Sequence, residues 1–227
     1  FRMLADGEAA VPARGMREIP RQLAAHLPPS AFRFGSRVAR VEPGLVTIHD
    51  GRSIACRAVV IATEGPVAHS LVKVRDVASR SVSCVYFAAD RPPTGGKYIV
   101  LSPTGPASNI AVMSNIAPER APRGQHLIAA AVPGRTDDGL ESEVRRQMTE
   151  MFGPPAERWR HLRTYRIAHG QPDQSPPFSP KRRVSLGEGL FVCGDHRDTA
   201  SIQGALFSGG RCGSAVVESL QIGRAHV

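Results

Sequence analysis

The sequence lacks the features of a membrane or secreted protein. It has no uninterrupted apolar run of roughly eighteen residues, the length of a membrane span, and no amino-terminal pattern typical of a secretory signal. Its four cysteines are widely spaced and form no C-x-x-C pair, which argues against a disulfide framework and against a zinc site. We therefore expect no metal, no transmembrane segment and a reducing, cytoplasmic location.

Lysine and aromatic residues are also scarce. Aromatic residues make up 5% of the chain, and the net charge of +9 comes almost entirely from scattered arginines. The tightest basic run, at residues 181–183, is only three residues long. Nucleic-acid binding generally requires a continuous basic stripe and, for single strands, aromatic stacking platforms. We expect no nucleic-acid partner.

The 227 residues are 41% apolar, enough for a substantial core in one large domain or two small ones. The first ten residues read as the interior of a longer chain, so we expect an amino-terminal half to be missing. Residues 222–227 resemble a non-native tail, with a natural frayed terminus as the alternative.

The first part of the chain predicts a short helix followed by a strand meander. Apolar residues at helical spacing predict a helix between Gly15 and Pro28. Three short alternating runs follow, separated by Pro43-Gly44 and by Asp50-Gly51. Asp-Gly between alternating strands is a strong hairpin signal because both residues tolerate positive φ.

Two continuous apolar runs, residues 58–62 and 190–193, are typical of parallel strands buried on both faces. The second leads into a glycine-rich segment that we interpret as a helix over 201–220. Strand-like runs and Pro/Gly turns lie between them, with one helix whose start has Asp138 and Glu141 spaced as a capping box.

This pattern predicts an α/β fold, α+β overall, in two domains. We expect a Rossmann-like domain that is incomplete, made of residues 11–70 and 185–221. An antiparallel-sheet substrate domain, residues 71–184, is inserted into it.

The strongest candidate site follows the second apolar strand. Ligands of open α/β sheets bind at the carboxyl ends of the strands, where Gly194 would allow close approach and Asp195 could accept hydrogen bonds from ribityl or sugar hydroxyls. A helix beginning near Ser201 would present unpaired N–H groups there. The alternative is an ordinary strand–turn–helix with a surface aspartate.

Several motifs together resemble those of the flavin-containing amine oxidase and phytoene-desaturase-like superfamily. The closing motif consists of residues 189–195 followed by 199–206. Residues 11–16 resemble the family's Pro-x-Gly-Gly-Met segment, with Arg14 in place of a glycine. Residues 37–38 and 58–63 resemble two strands that meet FAD in the family, and Glu64 stands where many relatives have glycine.

The resemblance implies that FAD is the cofactor, and it assigns ten contacts. The implied FAD-binding residues are Val38, Ala62, Thr63, Gly194, Asp195, Ser201, Ile202, Gln203, Gly204 and Ala205. Tyr165 and His196 are candidates for lining the substrate, with core or structural roles as the alternative. No catalytic residue is assigned.

The pyrophosphate-binding G-x-G-x-x-G loop is absent; its nearest trace, Gly187-x-Gly189, has Val192 in the third position. The family has this loop near its amino terminus. We therefore expect the chain alone to bind FAD weakly or not at all and to be inactive, as a fragment of an FAD-dependent oxidoreductase.

The implied reaction of the longer protein is removal of two electrons from an amine or a C–C unit of a small or isoprenoid-like substrate. A non-catalytic flavoprotein-like binding module is the alternative. A nicotinamide-dependent dehydrogenase fits the closing motif less well.

Overall fold

The computed structural model describes residues 10–75 and 77–222, without the side chain of Ile222. Most of the predicted tail at 222–227 thus lies outside the described residues. The chain divides into two compact units. The first, here called the sheet unit, comprises Phe1–Phe32 and Ser81–Ala168. The second, here called the α/β unit, comprises Arg33–Arg80 and His169–Val227. The predicted domain boundaries at residues 71 and 184 stay a prediction.

The first half of the described chain contains three α-helices and seven strands. In chain order these are α1 (Glu18–Ala24), β1 (Val38–Glu42), β2 (Leu45–Ile48), β3 (Ser53–Ala55), β4 (Val59–Ile61), α2 (Gly65–Leu71), β5 (Ser79–Ala89), β6 (Ile99–Leu101), β7 (Asn109–Val112) and α3 (Met113–Ile116). The second half contains β8 (His126–Pro133), α4 (Leu140–Phe152), β9 (Arg160–Pro172), β10 (Ser185–Gly187), β11 (Leu190–Val192) and α5 (Ile202–Ile222).

The sheet unit is built on a five-stranded sheet with the order β6-β7-β8-β5-β9. The pairs β6–β7, β7–β8 and β5–β8 are antiparallel. Alternate residues of a strand point to opposite faces, and in β5 the fully buried Val85 and Phe87 pack in one core with Val144 and Met148 of α4. Tyr86 therefore points to the other face of the sheet.

The predicted capping box at the start of α4 is wrong. Gly139 occupies the N-cap position with φ +86°, and no side chain caps the helix there. Asp138 instead pairs with Arg166 at 3.2 Å, and Glu141 accepts a hydrogen bond from Arg145 one turn later. A left-handed residue between Asp138 and the helix redirects the backbone, so the spacing of the two acids does not produce the reciprocal bonds.

The α/β unit begins with the predicted meander. Strands β1, β2 and β3 pair antiparallel in sequence order, and the turns between them contain Gly44 and Gly51 with φ +77° and +87°. Both turns require backbone conformations that glycine adopts without steric cost. The predicted Asp-Gly hairpin is confirmed.

A second sheet in this unit has the order β10-β11-β4. Strands β11 and β4 are parallel, with Val192 opposite Ile61, which confirms that both apolar runs form parallel strands; their direct pairing is a finding of the structure. Helix α2 covers one face through Ala68, and α5 covers the other through Cys212. The described residues thus form the predicted mixed α/β fold with an antiparallel sheet.

The prediction that β4 is buried on both faces is wrong at Val60, which is 44% exposed. β4 is an edge strand of the three-stranded sheet. Val59 and Ile61 pack in the core with Ala68, whereas α5 packs against the neighbouring β11 at Phe191. The α5 side of β4 is therefore left open among the described residues.

Within the described part of the chain, no helix is both long and apolar enough to cross a membrane.

Candidate functional site

The candidate site lies where the two parallel strands of the α/β unit end. The N–H of Cys193 donates to the carbonyl oxygen of Ile61 at 2.9 Å, which continues the ladder one residue past β11. Gly194 consequently lies beside Thr63, since a Cβ built on the glycine would stand 3.4 Å from the Thr63 carbonyl oxygen. The parallel pairing brings the Ala62-Thr63 and Gly194-Asp195 segments together, as expected for the ligand-binding edge of an α/β sheet.

Gly194 cannot be replaced without strain. Its φ is +145°, and an added Cβ would lie 2.6 Å from two ring atoms of His196. Its N–H donates to the Ser208 hydroxyl at 3.2 Å, which joins the end of β11 to the second turn of α5.

The turn after Gly194 is held by its own backbone and by Asp198. The N–H groups of Arg197 and Asp198 donate to the carbonyl oxygens of Gly194 and Asp195, each at 3.0 Å. The Asp198 carboxylate accepts from the Thr199 N–H at 3.0 Å and from Arg211 at 2.8 Å. The Asp195 side chain is 32% exposed, so its carboxylate is free to accept hydrogen bonds from a ligand.

His196 is buried under this turn. Its side chain is 1% exposed, it lies against Gly65 and Gly194, and neither ring nitrogen has a hydrogen-bond partner among the described residues. Burial lowers the pKa of this imidazole, and the positive charge of Arg197 lowers it further. The ring is therefore kept neutral; its assignment as a substrate-lining residue stays a prediction.

The start of α5 has two available donors. The Ser201 hydroxyl accepts from the Gly204 N–H at 2.9 Å and its carbonyl accepts from the Ala205 N–H at 3.0 Å. The N–H groups of Ile202 and Gln203 have no acceptor among the described residues. Of the N–H groups at the helix start that we expected to be unpaired, those of Ile202 and Gln203 are therefore available to a ligand. Both lie at the positive end of the helix dipole.

One groove in the α/β unit is lined by Val38 and by the neighbouring residues Ala62 and Thr63, which lie more than twenty positions further along the chain. The groove has a volume of about 740 Å³ and is lined by residues of β1, β2, β4 and α2, which include six valines. Three of the predicted cofactor contacts therefore share one surface.

Tyr165 belongs to the sheet unit and is 48% exposed. Its ring contacts Tyr86 edge to face, with the ring centroids 5.8 Å apart.

The sequence did not reveal an arginine cluster behind the turn. Arg197 is 8% exposed and donates to the Arg183 carbonyl, and Arg211 donates to the Arg182 carbonyl at 3.2 Å. Burial lowers the pKa of Arg197, as do the neighbouring charges of Arg182 and Arg211. The basic run at 181–183 was the visible signal, but its partners lie fourteen or more residues away.

These residues fit a flavin. A flavin presents ring carbonyls that the two open amides can bind and ribityl hydroxyls that donate to a carboxylate such as Asp195. The absent side chain at Gly194 leaves the backbone open to close approach. Among the described residues there is no group of three side chains that could hold a metal ion.

The comparisons with known proteins agree with this chemistry. A family model for flavin containing amine oxidoreductases matches residues 1–217, and the chain therefore belongs to this family. No curated protein matches the chain.

Solved structures show the same fold at low sequence identity. An oxidoreductase from Methanosarcina mazei is 19% identical with a TM-score of 0.53, over 82% of this chain and 49% of its own. A protein from Pyrococcus furiosus is 13% identical with a TM-score of 0.56, over 80% and 46%. Reduced UDP-galactopyranose mutase is 13% identical with a TM-score of 0.55, over 81% and 46%. The chain spans about half the length of these structures.

Proposed function

We propose that this chain forms one side of the FAD site of an oxidoreductase that removes two electrons from an organic substrate. The observation that carries the proposal is the corner between β11 and α5, where Asp195 and the open amides of Ile202 and Gln203 lie at the carboxyl ends of two parallel strands. Membership of the flavin-containing family supports a flavin as the ligand.

Each group at the corner has a distinct role in the proposal. The Ile202 and Gln203 amides donate to a flavin carbonyl, and the helix dipole favours negative charge there by about 0.3–1 kcal/mol. Asp195 accepts from the ribityl hydroxyls and so orients the cofactor. When bound, the flavin accepts the two electrons, while the protein supplies position and electrostatics.

The groove beside Val38 and Thr63 supports FAD as the form of the flavin. Its volume of about 740 Å³ can accommodate a nucleotide portion, and its valine-rich walls suit the faces of an adenine ring. We assign Val38, Ala62 and Thr63 to this portion. Tyr165 and His196 are our candidates for the substrate side, with an amine or a C–C unit as the group oxidised.

We further propose that the chain acts as part of a longer protein. The sequence has no G-x-G-x-x-G loop, and the structures with the same fold are about twice as long. A preceding segment would supply the donors for the pyrophosphate, so the 227 residues alone should bind FAD weakly and be inactive.

The proposal is tested with the protein expressed from its natural upstream sequence and, in parallel, as the 227 residues. We expect the first to carry stoichiometric FAD and the second little or none. Anaerobic addition of candidate amines and unsaturated substrates should then bleach the visible flavin band. A flavin that no substrate reduces would favour the non-catalytic binding module, and a colourless longer protein would refute the FAD site.

A further inference from the structure

A groove runs from the end of β5 onto the face of the five-stranded sheet that carries Tyr86. Ala89 and Trp159, at its first cavity, also pack in the core with α4. It consists of three adjoining cavities of about 490, 240 and 530 Å³. The first and second share Gln125 and Arg160, and the second and third share Leu127 and Leu162. All the lining residues belong to the sheet unit.

One sign of charge dominates this groove. Five arginines line it, and Asp90 is the one acidic side chain among its lining residues. The five are Arg91, Arg120, Arg158, Arg160 and Arg163. None of them forms an ion pair with a described residue.

The contrast with other arginines of the same unit is informative. Arg135 pairs with Asp137 and Glu143, and Arg145 pairs with Glu141. Glu18, Asp137, Asp138, Glu141 and Glu143 of the sheet unit pair with arginines outside the groove. Asp90, Glu119, Glu150 and Glu157 form no ion pair with a described residue. Five arginines that line a groove with one acidic side chain among them attract an anion, and the guanidinium fork matches the oxygens of a carboxylate or phosphate.

The other end of the groove is apolar and aromatic. Leu127 and Leu162 lie beside Tyr86 and Tyr165, and Leu162 and Tyr165 are 41% and 48% exposed. The guanidinium of Arg163 lies over the Tyr165 ring, 5.1 Å from its centroid, and the Tyr165 and Tyr86 rings pack edge to face. Covering exposed apolar side chains of this kind with a ligand is favourable, because it removes apolar surface from water.

We infer that this groove binds an elongated amphipathic anion, with a carboxylate or phosphate at the Arg91–Arg158 end and an apolar chain or ring against Leu162 and Tyr165. The inference concerns binding within the sheet unit alone, so it does not depend on the flavin.

The fluorescence of Trp159 provides a local test. Trp159 is the single tryptophan of the chain and lines the arginine-rich cavity. The probes are decanoate, decyl phosphate and decylammonium, which share one alkyl chain and differ in the head group, with inorganic phosphate as a head group alone. All are titrated into the intact protein below their micelle concentrations.

We expect saturable fluorescence changes with decanoate or decyl phosphate, at dissociation constants roughly tenfold or more below that of decylammonium. The two anionic probes distinguish a carboxylate from a phosphate site. Comparable binding of decylammonium would overturn the inference, and so would a failure of both anions to bind. Inorganic phosphate binding as tightly as decyl phosphate would refute the role of the apolar wall.

Matched variants locate the site. Arg158→Gln removes an exposed lining charge and should raise the dissociation constant of the anion by roughly two- to fivefold. Arg146→Gln makes the same change at an exposed position on α4, outside the groove. This variant should leave the dissociation constant of the anion unchanged. Leu162→Ala should weaken the alkyl probes but not inorganic phosphate. Equal effects of Arg158→Gln and Arg146→Gln would show general charge attraction and overturn the inference.

Discussion

The N–H of Gly194 and the hydroxyl of Ser208 are joined by a hydrogen bond of 3.2 Å, and Ser208 is fully buried. This bond connects the carboxyl end of β11 to the second turn of α5. It thereby fixes the position of Asp195 relative to the open amides at Ile202 and Gln203, on which the proposed cofactor site depends.

Replacing Ser208 tests this connection. Ser208→Ala should lower the free energy of unfolding by about 1 kcal/mol because it removes one buried hydrogen bond. Ser214→Ala, at an exposed position of the same helix, should change it by less than about 0.5 kcal/mol. Urea unfolding of both variants provides the comparison, and equal losses would show that the Ser208 bond is not made.

The glycines of α5 should differ sharply in their tolerance of alanine. A Cβ at Gly204 would lie 1.9 Å from the Thr199 carbonyl oxygen, whereas one at Gly213 would meet nothing within 4 Å. Gly204→Ala should therefore destabilise the protein by roughly 1–3 kcal/mol, and Gly213→Ala should stabilise it by about 0.5–1 kcal/mol. Thermal and urea unfolding measure both changes. A neutral Gly204→Ala would contradict the close contact with Thr199.

His196 should make stability depend on pH in the acid range. Its pKa is lowered from 6.5 by burial and by Arg197, so the unfolded chain takes up the proton first as the pH falls. The contribution of the neutral His196 ring to the free energy of unfolding is fully present above pH 6.5 and is lost progressively as the pH falls below 6.5. The histidine ring resonances in NMR give the pKa directly. A pKa above 6.5 for His196 would contradict its burial as a neutral ring.

The hydroxyl of Tyr86 should ionise at a higher pH than that of an ordinary tyrosine. Burial raises its pKa from 10 to about 12, and the neighbouring Cys84 adds to the shift. A raised pKa of an acidic group means that stability is retained below pH 10 and decreases between pH 10 and about 12. The ultraviolet absorbance of tyrosinate measures the titration. Tyr86→Phe should remove the latest ionising component, and an unchanged curve would show that Tyr86 is not the shifted group.

Local sequence patterns were sufficient for much of the fold. The Asp50-Gly51 turn specifies its hairpin through Gly51, whose φ is +87°. The continuous apolar runs at 58–62 and 190–193 specify parallel strands. The pattern did not show that α5 covers β11 and leaves Val60 open, because this depends on which strand lies at the sheet edge. Likewise, the spacing of Asp138 and Glu141 cannot reveal that Gly139 takes a left-handed conformation between them.

The candidate site was predictable only in part, for a similar reason. The residues of the Gly194-Asp195 corner lie close together in sequence, whereas its buried partners come from elsewhere: Gly65 from α2 and Ser208 from α5. The arginine-lined groove is drawn from several separate segments of the sheet unit. Only the folded chain displays which arginines have an acidic partner, such as Arg135 with Glu143, and which do not.

The most direct test of the proposed cofactor site is the affinity for FAD of the protein with its upstream sequence and two aspartate variants. Asp195→Ala removes the carboxylate at the corner, and Asp50→Ala removes one that pairs with Arg52 at the meander turn. We predict stoichiometric FAD in the unaltered protein, a dissociation constant roughly tenfold or more higher for Asp195→Ala, and no change for Asp50→Ala. An unaltered protein without FAD, or equal affinities in the two variants, would contradict the account.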